Sequence, residues 1–296
     1  MITLKQHQVP ETVLNIRLVN YVVKIFSEIP SRSAAKKAIK RGEILVDDLK
    51  PDQGEWIKPG QLISLVDLQK KPPKIFKLKI EVIYEDEHIA VVRKPAGISV
   101  SGNKYKTILN TLAFNLMAST SEDALKWPLP VHRLDYPTSG LLLIAKTKFA
   151  LTNLGNQFEK RLVKKTYHAI VIGKIHQKGI IDQTIDGQEA ITAYQLIDIA
   201  PSLKVGHISL VRLKPLTGRT HQLRIHLSEI GHPIIGDNKY GTKLPLLKGK
   251  GLFLSATTLE FSHPVSNNKC SFEINQPQKF SSFLKRETRR WKKYNT

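Results

Sequence analysis

Residues 131–146 read VHRLDYPTSGLLLIAK, a polar loop that runs directly into the apolar stretch Leu141-Leu142-Leu143-Ile144-Ala145. A short unbroken apolar stretch of this kind suits a strand covered on both faces. Pro137 and Gly140 fix a turn just before it, and Thr138 and Ser139 can bond that turn's backbone. The loop's one carboxylate, Asp135, is thereby held rigidly at a sheet edge, where reactive groups are often presented. Taken alone, an aspartate after Arg-Leu reads more readily as a turn former or a surface ion-pair partner than as a catalytic group.

Outward from this strand, Glu81-Val82-Ile83-Tyr84 and His88-Ile89-Ala90-Val91-Val92 read as strands, followed by the loop Lys94-Pro95-Ala96-Gly97. Further strands are expected at 141–145, 166–172 and 207–213, and helices around 107–117, 149–161 and 220–230. Strands and helices intermix without strict alternation, so the expected class is α+β with a mixed, largely antiparallel sheet. The chain divides into a compact unit at 12–68, a linker at 69–79, a main domain at 80–275 and a basic C-terminal tail at 276–296. The linker holds two adjacent prolines and five lysines without a carboxylate. The tail, with six basic residues between Lys285 and Lys293, reads as a helix end or a mobile arm.

Two more segments carry candidate chemistry. In Val211-Arg212-Leu213-Lys214-Pro215-Leu216-Thr217-Gly218-Arg219-Thr220-His221-Gln222-Leu223-Arg224-Ile225-His226 a strand ends at Pro215, Gly218 allows a turn, and Thr220 is the expected helix cap. Leu223, Leu227 and Ile230 form that helix's core stripe, while His221 and Arg224 share another face. His221 and His226 are five apart rather than four, and no Cys cluster or HExxH is near, so no metal site is expected. The strand Lys164-Lys165-Thr166-Tyr167-His168-Ala169-Ile170-Val171-Ile172 puts Tyr167, Ala169 and Val171 on one face. On its own, Tyr167 reads as an ordinary core aromatic.

The N-terminal unit is expected to hold a helix over residues 16–26 and a second one, SRSAAKKAIKRG, capped by Ser31 or Ser33 and ended at Gly42. Arg32, Lys36, Lys37, Lys40 and Arg41 give that second helix five cations and no acid, while Ala35, Ala38 and Ile39 form its apolar face. Strands follow at 43–47 and 61–66.

Composition bounds the partners. The 296 residues carry a formal charge of +21, which points to a polyanion. A hydrophobic content of 41% excludes a disordered polycation. No apolar run approaches the roughly 20 residues of a membrane span, and the first residues, MITLKQHQVPETV, lack a secretion signal. The single cysteine, Cys270, fits a reducing cytoplasm, the expected location.

Together, VVRKPAGISV, HRLDYPTSGLLLIAK, KTYHAIVIG and TGRTHQLRIHLSEIGHPIIGDNKYG closely resemble the RluA-type family of RNA pseudouridine synthases, in the family's order. The helix-helix-strand unit before them resembles the RNA-binding domain of ribosomal protein S-four type, with Asp47-Asp48 where an Asn-Gly-like turn is common. The resemblance implies a mixed sheet with a central cleft, no cofactor, and a monomer acting on RNA. Large-subunit ribosomal RNA is the expected substrate, with transfer RNA, or a non-catalytic role in ribosome assembly, as the alternatives. It implies Asp135 as the group that starts glycosidic cleavage, whether at C1′, on the base or at the C2′ proton. Arg224 would pair with Asp135, and Tyr167 would pack on the target uracil. RNA contacts would come from Arg133, which fills the flipped nucleotide's place, with His132, Arg219, His221, Gln222 and Lys94, and from the basic helix of the first unit.

Overall fold

The computed structural model describes residues 2–13, 15–68, 72–241 and 250–295. The chain forms two compact units, residues 1–72 and 73–296.

In the first unit the strand β1 (Ile2–Gln8) precedes two helices, α1 (Leu18–Ile25) and α2 (Arg32–Arg41), and two strands, β2 (Ile44–Val46) and β3 (Leu62–Asp67). The antiparallel sheet runs β1-β3-β2, and Leu18, Val22, Phe26, Ala35, Ala38, Ile39 and Ile63 pack into one core. Ser31 caps α2 by accepting the Ala34 N–H at 3.2 Å, and Gly42 ends it at φ 77°. Arg32, Lys36, Lys37, Lys40 and Arg41 all lie exposed, with Arg41 paired to Glu43. Asp47 and Asp48 both adopt the left-handed conformation that an Asn-Gly turn would use. The expected start at residue 12 is too late. β1 was not legible because ITLKQHQ lacks apolar alternation, and it stands through its ladder with β3.

The second unit contains β4 (Glu81–Glu85), β5 (Ile89–Lys94), α3 (Ile108–Asn115), β6 (Ala124–Pro130), β7 (Ser139–Thr147), α4 (Lys148–Glu159), β8 (Lys164–Ile172), β9 (Lys178–Asp182), β10 (Ile191–Ser202), β11 (Gly206–Pro215), α5 (Gln222–Glu229), β12 (Leu254–Ser262), β13 (Lys269–Glu273) and α6 (Gln278–Tyr294). Its sheet runs β4-β5-β7-β12-β8-β11-β10-β9, with β6 on β7 and β13 on β12. Each pairing is antiparallel except β7 with β12, so the α+β class with a mixed, largely antiparallel sheet holds. Alternate residues of β7 enter two cores: Leu142 and Ile144 pack with α3, and Leu141, Leu143 and Ala145 pack with α4. Double-sided cover explains the unbroken apolar run.

Two boundaries need correction. From Pro73 the expected linker belongs to the second unit: Phe76 donates its N–H to Asn110 at 2.8 Å, and Phe76 and Leu78 pack beside α3. Lys70 and Lys71 lie outside the described residues. The C-terminal segment is no mobile arm. α6 buries Phe280, Phe283 and Leu284 against Phe253, and the buried Glu287 accepts a 2.8 Å bond from Ser202.

The parallel joint of β7 and β12 consists of Ser139 opposite Ser255 and Gly140 opposite Ala256. Gly140 has φ 119°, and a Cβ there would run into the Ala256 carbonyl. Gly140→Ala should therefore lower the unfolding midpoint of the second unit by at least about 5 °C, from strain plus backbone collision. Calorimetry checks this, and a midpoint unchanged within a degree would show that the joint does not need glycine.

Candidate active site

Asp135 stands in the turn that feeds β7, with Thr138 N–H bonded to its carbonyl at 3.0 Å. Lys94, at the end of β5, is fully buried beneath this turn. Its ammonium donates to the carbonyls of Thr138 at 2.6 Å, Pro95 at 3.0 Å and Tyr136 at 3.3 Å. Burial pushes its pKa down to about 8, and the Asp135 charge opposes that shift. The expectation that Lys94 contacts RNA is thus corrected: it pins the loop that carries Asp135.

His132 is likewise spent inside the protein. Its Nε2 accepts the Leu143 N–H at 3.1 Å, and its ring stacks on Phe158 with centroids 4.8 Å apart. Burial, with Lys165 nearby, pushes its pKa down to about 4, so the imidazole is neutral. Arg133 between them is exposed and free to meet a ligand.

Three elements converge on Asp135. Tyr167, on β8, is paired with Ala256, which is itself opposite Gly140, so one residue of β12 separates the aspartate's strand from the tyrosine's. Burial, then the Asp135 charge, pushes the Tyr167 phenol well above its ordinary range and keeps it neutral. Arg224, on α5, brings Nη1 to 3.5 Å from Asp135 Oδ2. His221 places Nε2 3.8 Å from Asp135 Oδ1 and Nδ1 2.9 Å from the Tyr240 hydroxyl. Its pKa is lowered, chiefly by burial. Thr220 is not the cap of α5; His221 occupies that position in the left-handed conformation, φ 57°. That geometry turns the imidazole toward Asp135.

A residue absent from the sequence reading holds this cluster. Asp237 is buried and accepts two bonds from Arg224, Nε at 2.7 Å and Nη2 at 2.8 Å. It also accepts the N–H groups of Lys239 and Tyr240 at 2.9 and 3.0 Å. Burial alone would raise its pKa, but the Arg224 bonds and these N–H groups hold it below the ordinary value. Burial opposes the charge on Arg224 as well, yet Asp237 and then Asp135 outweigh it and raise its pKa. The signal is present in GDNKYG, where an aspartate in a tight turn can accept the N–H groups two and three residues on.

Gln222 is also corrected. Its carbonyl oxygen accepts from the Thr217 hydroxyl at 2.7 Å and Arg219 N–H at 3.0 Å, and its amide donates to Ile191 O and Thr192 Oγ1. It ties the 217–219 loop to β10 and has nothing left for RNA. Arg219 donates Nε to Glu189 O at 2.9 Å. Asp135, Tyr167, Arg224, His221, Arg133 and Arg219 share a cavity of about 290 Å³. Among the described residues, no three His, Cys, Asp or Glu side chains gather where they could hold a metal ion.

Two outcomes follow from this geometry. Asp237→Asn should release Arg224 and lower kcat by about 10–100-fold with little change in KM, since misplacement by about 1 Å has that cost. A kcat unchanged in steady-state assays would show that Arg224 needs no anchor. For His132, whose folded pKa is depressed, stabilisation is complete above pH 6.5 and is lost as pH falls through about 4. Over that interval the native protein should lose up to about 3 kcal/mol more than His132→Gln, which can accept the Leu143 bond without titrating. Denaturant titrations at several pH values check this, and parallel curves would contradict it.

Comparison with known proteins shows the family. Residues 88–229 match the family model described as RNA pseudouridylate synthase. An uncharacterized RNA pseudouridine synthase of Aquifex aeolicus is 34% identical, covering 90% of this chain and 92% of its own. The ribosomal large subunit pseudouridine synthase D of Pseudomonas aeruginosa is 32% identical, covering 92% of each chain. Among solved structures, human RNA pseudouridylate synthase domain containing 1 superposes with a TM-score of 0.57 at 25% identity, covering 67% of this chain and 84% of that one. With the motifs, the cleft and these relatives in agreement, the chain belongs to the RluA-type RNA pseudouridine synthases, isomerases that convert uridine in RNA to pseudouridine.

Proposed function

We propose that this enzyme modifies uridines of large-subunit ribosomal RNA and that Asp135 starts the reaction. The observation that carries the reading is the lone half-buried carboxylate of Asp135, faced by Arg224 and next to Tyr167 in one cavity. Isomerisation breaks the bond from N1 to C1′ and forms one from C5 to C1′, while a proton leaves C5 and one arrives at N1. It requires no oxidant and no net hydrolysis. Asp135 initiates cleavage, Arg224 orients it and balances its charge, and the neutral face of Tyr167 supports the uracil. A uridine within folded RNA must leave its stack to enter the cavity, and the exposed Arg133 fills the space it vacates.

The preference for ribosomal RNA rests on the names of relatives, several of which are ribosomal large subunit pseudouridine synthases C or D. The five exposed cations of α2 supply the grip on the RNA backbone. The enzyme acts as a monomer, and its place in the cytoplasm is supported by its single cysteine.

The test uses tritium release from large-subunit transcripts labelled at uridine C5, with transfer RNA in parallel. Asp135→Asn should lower release by about 10³-fold or more while RNA affinity stays within a few-fold. Neutralising Arg32, Lys36, Lys37, Lys40 and Arg41 together should flatten the salt dependence of binding by up to about four units of log–log slope. Full release by the asparagine variant, or release from transfer RNA alone, would overturn the reading.

A further inference from the structure

Lys165 and Tyr167 are two residues apart on β8, so their side chains leave the same face of the sheet, and both line the cavity that holds Asp135. The half-buried Lys165 ammonium lies 5.9 Å from the centre of the Phe158 ring. Among the described residues it has no carboxylate and no hydrogen-bond acceptor. The contrast with the other two lysines of lowered basicity is sharp. Lys94 holds three carbonyls, and Lys279 donates to Leu252 O at 2.7 Å. Burial lowers the pKa of Lys165 with no acid opposing it. A cation kept half out of water without a counter-charge is unfavourable unless the site's ligand brings one.

The ligand's chemistry narrows what that counter-charge is. Ribose and uracil enter the cavity uncharged, while each flanking phosphodiester carries a full negative charge. Lys165 lies two residues before Tyr167 on β8, about 7 Å along the strand from the residue that supports the base. Its neighbour His132 is neutral and does not compete for an anion. Arg133, exposed at the same cavity, adds a second cation.

We propose that Lys165, with Phe158 as its floor, forms an anion subsite that takes a phosphodiester flanking the flipped uridine. The proposal rests on the reading of the protein as an RNA pseudouridine synthase acting at Asp135. Lys165 binds and positions the nucleotide; a compact ammonium suits a phosphate met as a point charge.

The test uses a short RNA around a uridine that the native enzyme converts in large-subunit transcripts. It is made with ordinary linkages, or with one uncharged methylphosphonate 5′ or 3′ of that uridine. Lys165→Gln should lower kcat/KM on ordinary RNA about tenfold, mainly through KM, the scale of one charged contact. Lys165→Arg should retain most of the native value. One of the two uncharged linkages should cost the native enzyme about tenfold and cost Lys165→Gln almost nothing more. A general packing defect in the variant would instead multiply with the linkage effect. Losses that multiply to about 100-fold at both linkages, with native conversion of ordinary RNA intact, would overturn the subsite alone. Absence of native conversion on any RNA would overturn the underlying reading, and the subsite with it.

Discussion

The site depends on a joint two residue pairs long. β7 and β12 meet in parallel only at Ser139–Ser255 and Gly140–Ala256, and this contact unites the strands that follow the Asp135 loop with those that carry Tyr167. Ala256 faces Gly140 on one side and Tyr167 on the other. Such close approach leaves no room for a side chain at position 140, so the glycine beside the Asp135 loop is a condition of the sheet's closure. The constraint also explains why Asp135 and the side chains that face it are remote in sequence. The β7 side supplies Asp135, and Tyr167, His221 and Arg224 come from the β12 side.

Once the joint is formed, charge placement does the remaining work. Arg224 faces two carboxylates but serves them unequally, with a bidentate bond to Asp237 and one nitrogen 3.5 Å from Asp135. The buried partner fixes the guanidinium, and the opposite edge faces Asp135. Beneath the loop, Lys94 uses all three donors on backbone carbonyls, so the turn cannot drift without breaking several bonds. Gln222 does the same for the opposite wall. The rigidity of the cavity therefore comes from polar side chains whose hydrogen bonds are spent within the protein.

Much of this was legible before the structure. The Leu141–Ala145 run marks a doubly covered strand, and Ser31 or Ser33 with Gly42 marks the ends of α2, because burial period and capping are local properties. The rest depended on distant contacts. β10 was missed because a bulge between Leu196 and Asp198 breaks its alternation and Pro201 lies within it. In α6 the stripe Phe280, Phe283, Leu284 and Glu287 has helical spacing, but the density of Lys and Arg around it suggested a tail. The resemblance points Lys94, His132 and Gln222 toward RNA, whereas in the fold their polar atoms bond within the protein. Asp237 could be quoted within a motif, but its bond to Arg224 depends on how the turn after Gly236 returns to α5. Family resemblance points to Asp135, Tyr167 and Arg224, which meet in one cavity, whereas it says little about what holds them.

The central claim is that the joint delivers Asp135 to the glycosidic bond of the flipped uridine while Arg224 stays anchored on Asp237. The most direct measurement is a crystal structure of the enzyme with an RNA carrying 5-fluorouridine at a modified position. The account predicts the target nucleotide flipped into the cavity, its C1′ beside the Asp135 carboxylate and its base on Tyr167, with both Arg224–Asp237 bonds intact. A nucleotide bound away from Asp135, or an Arg224 that leaves Asp237 for the RNA backbone, would contradict it.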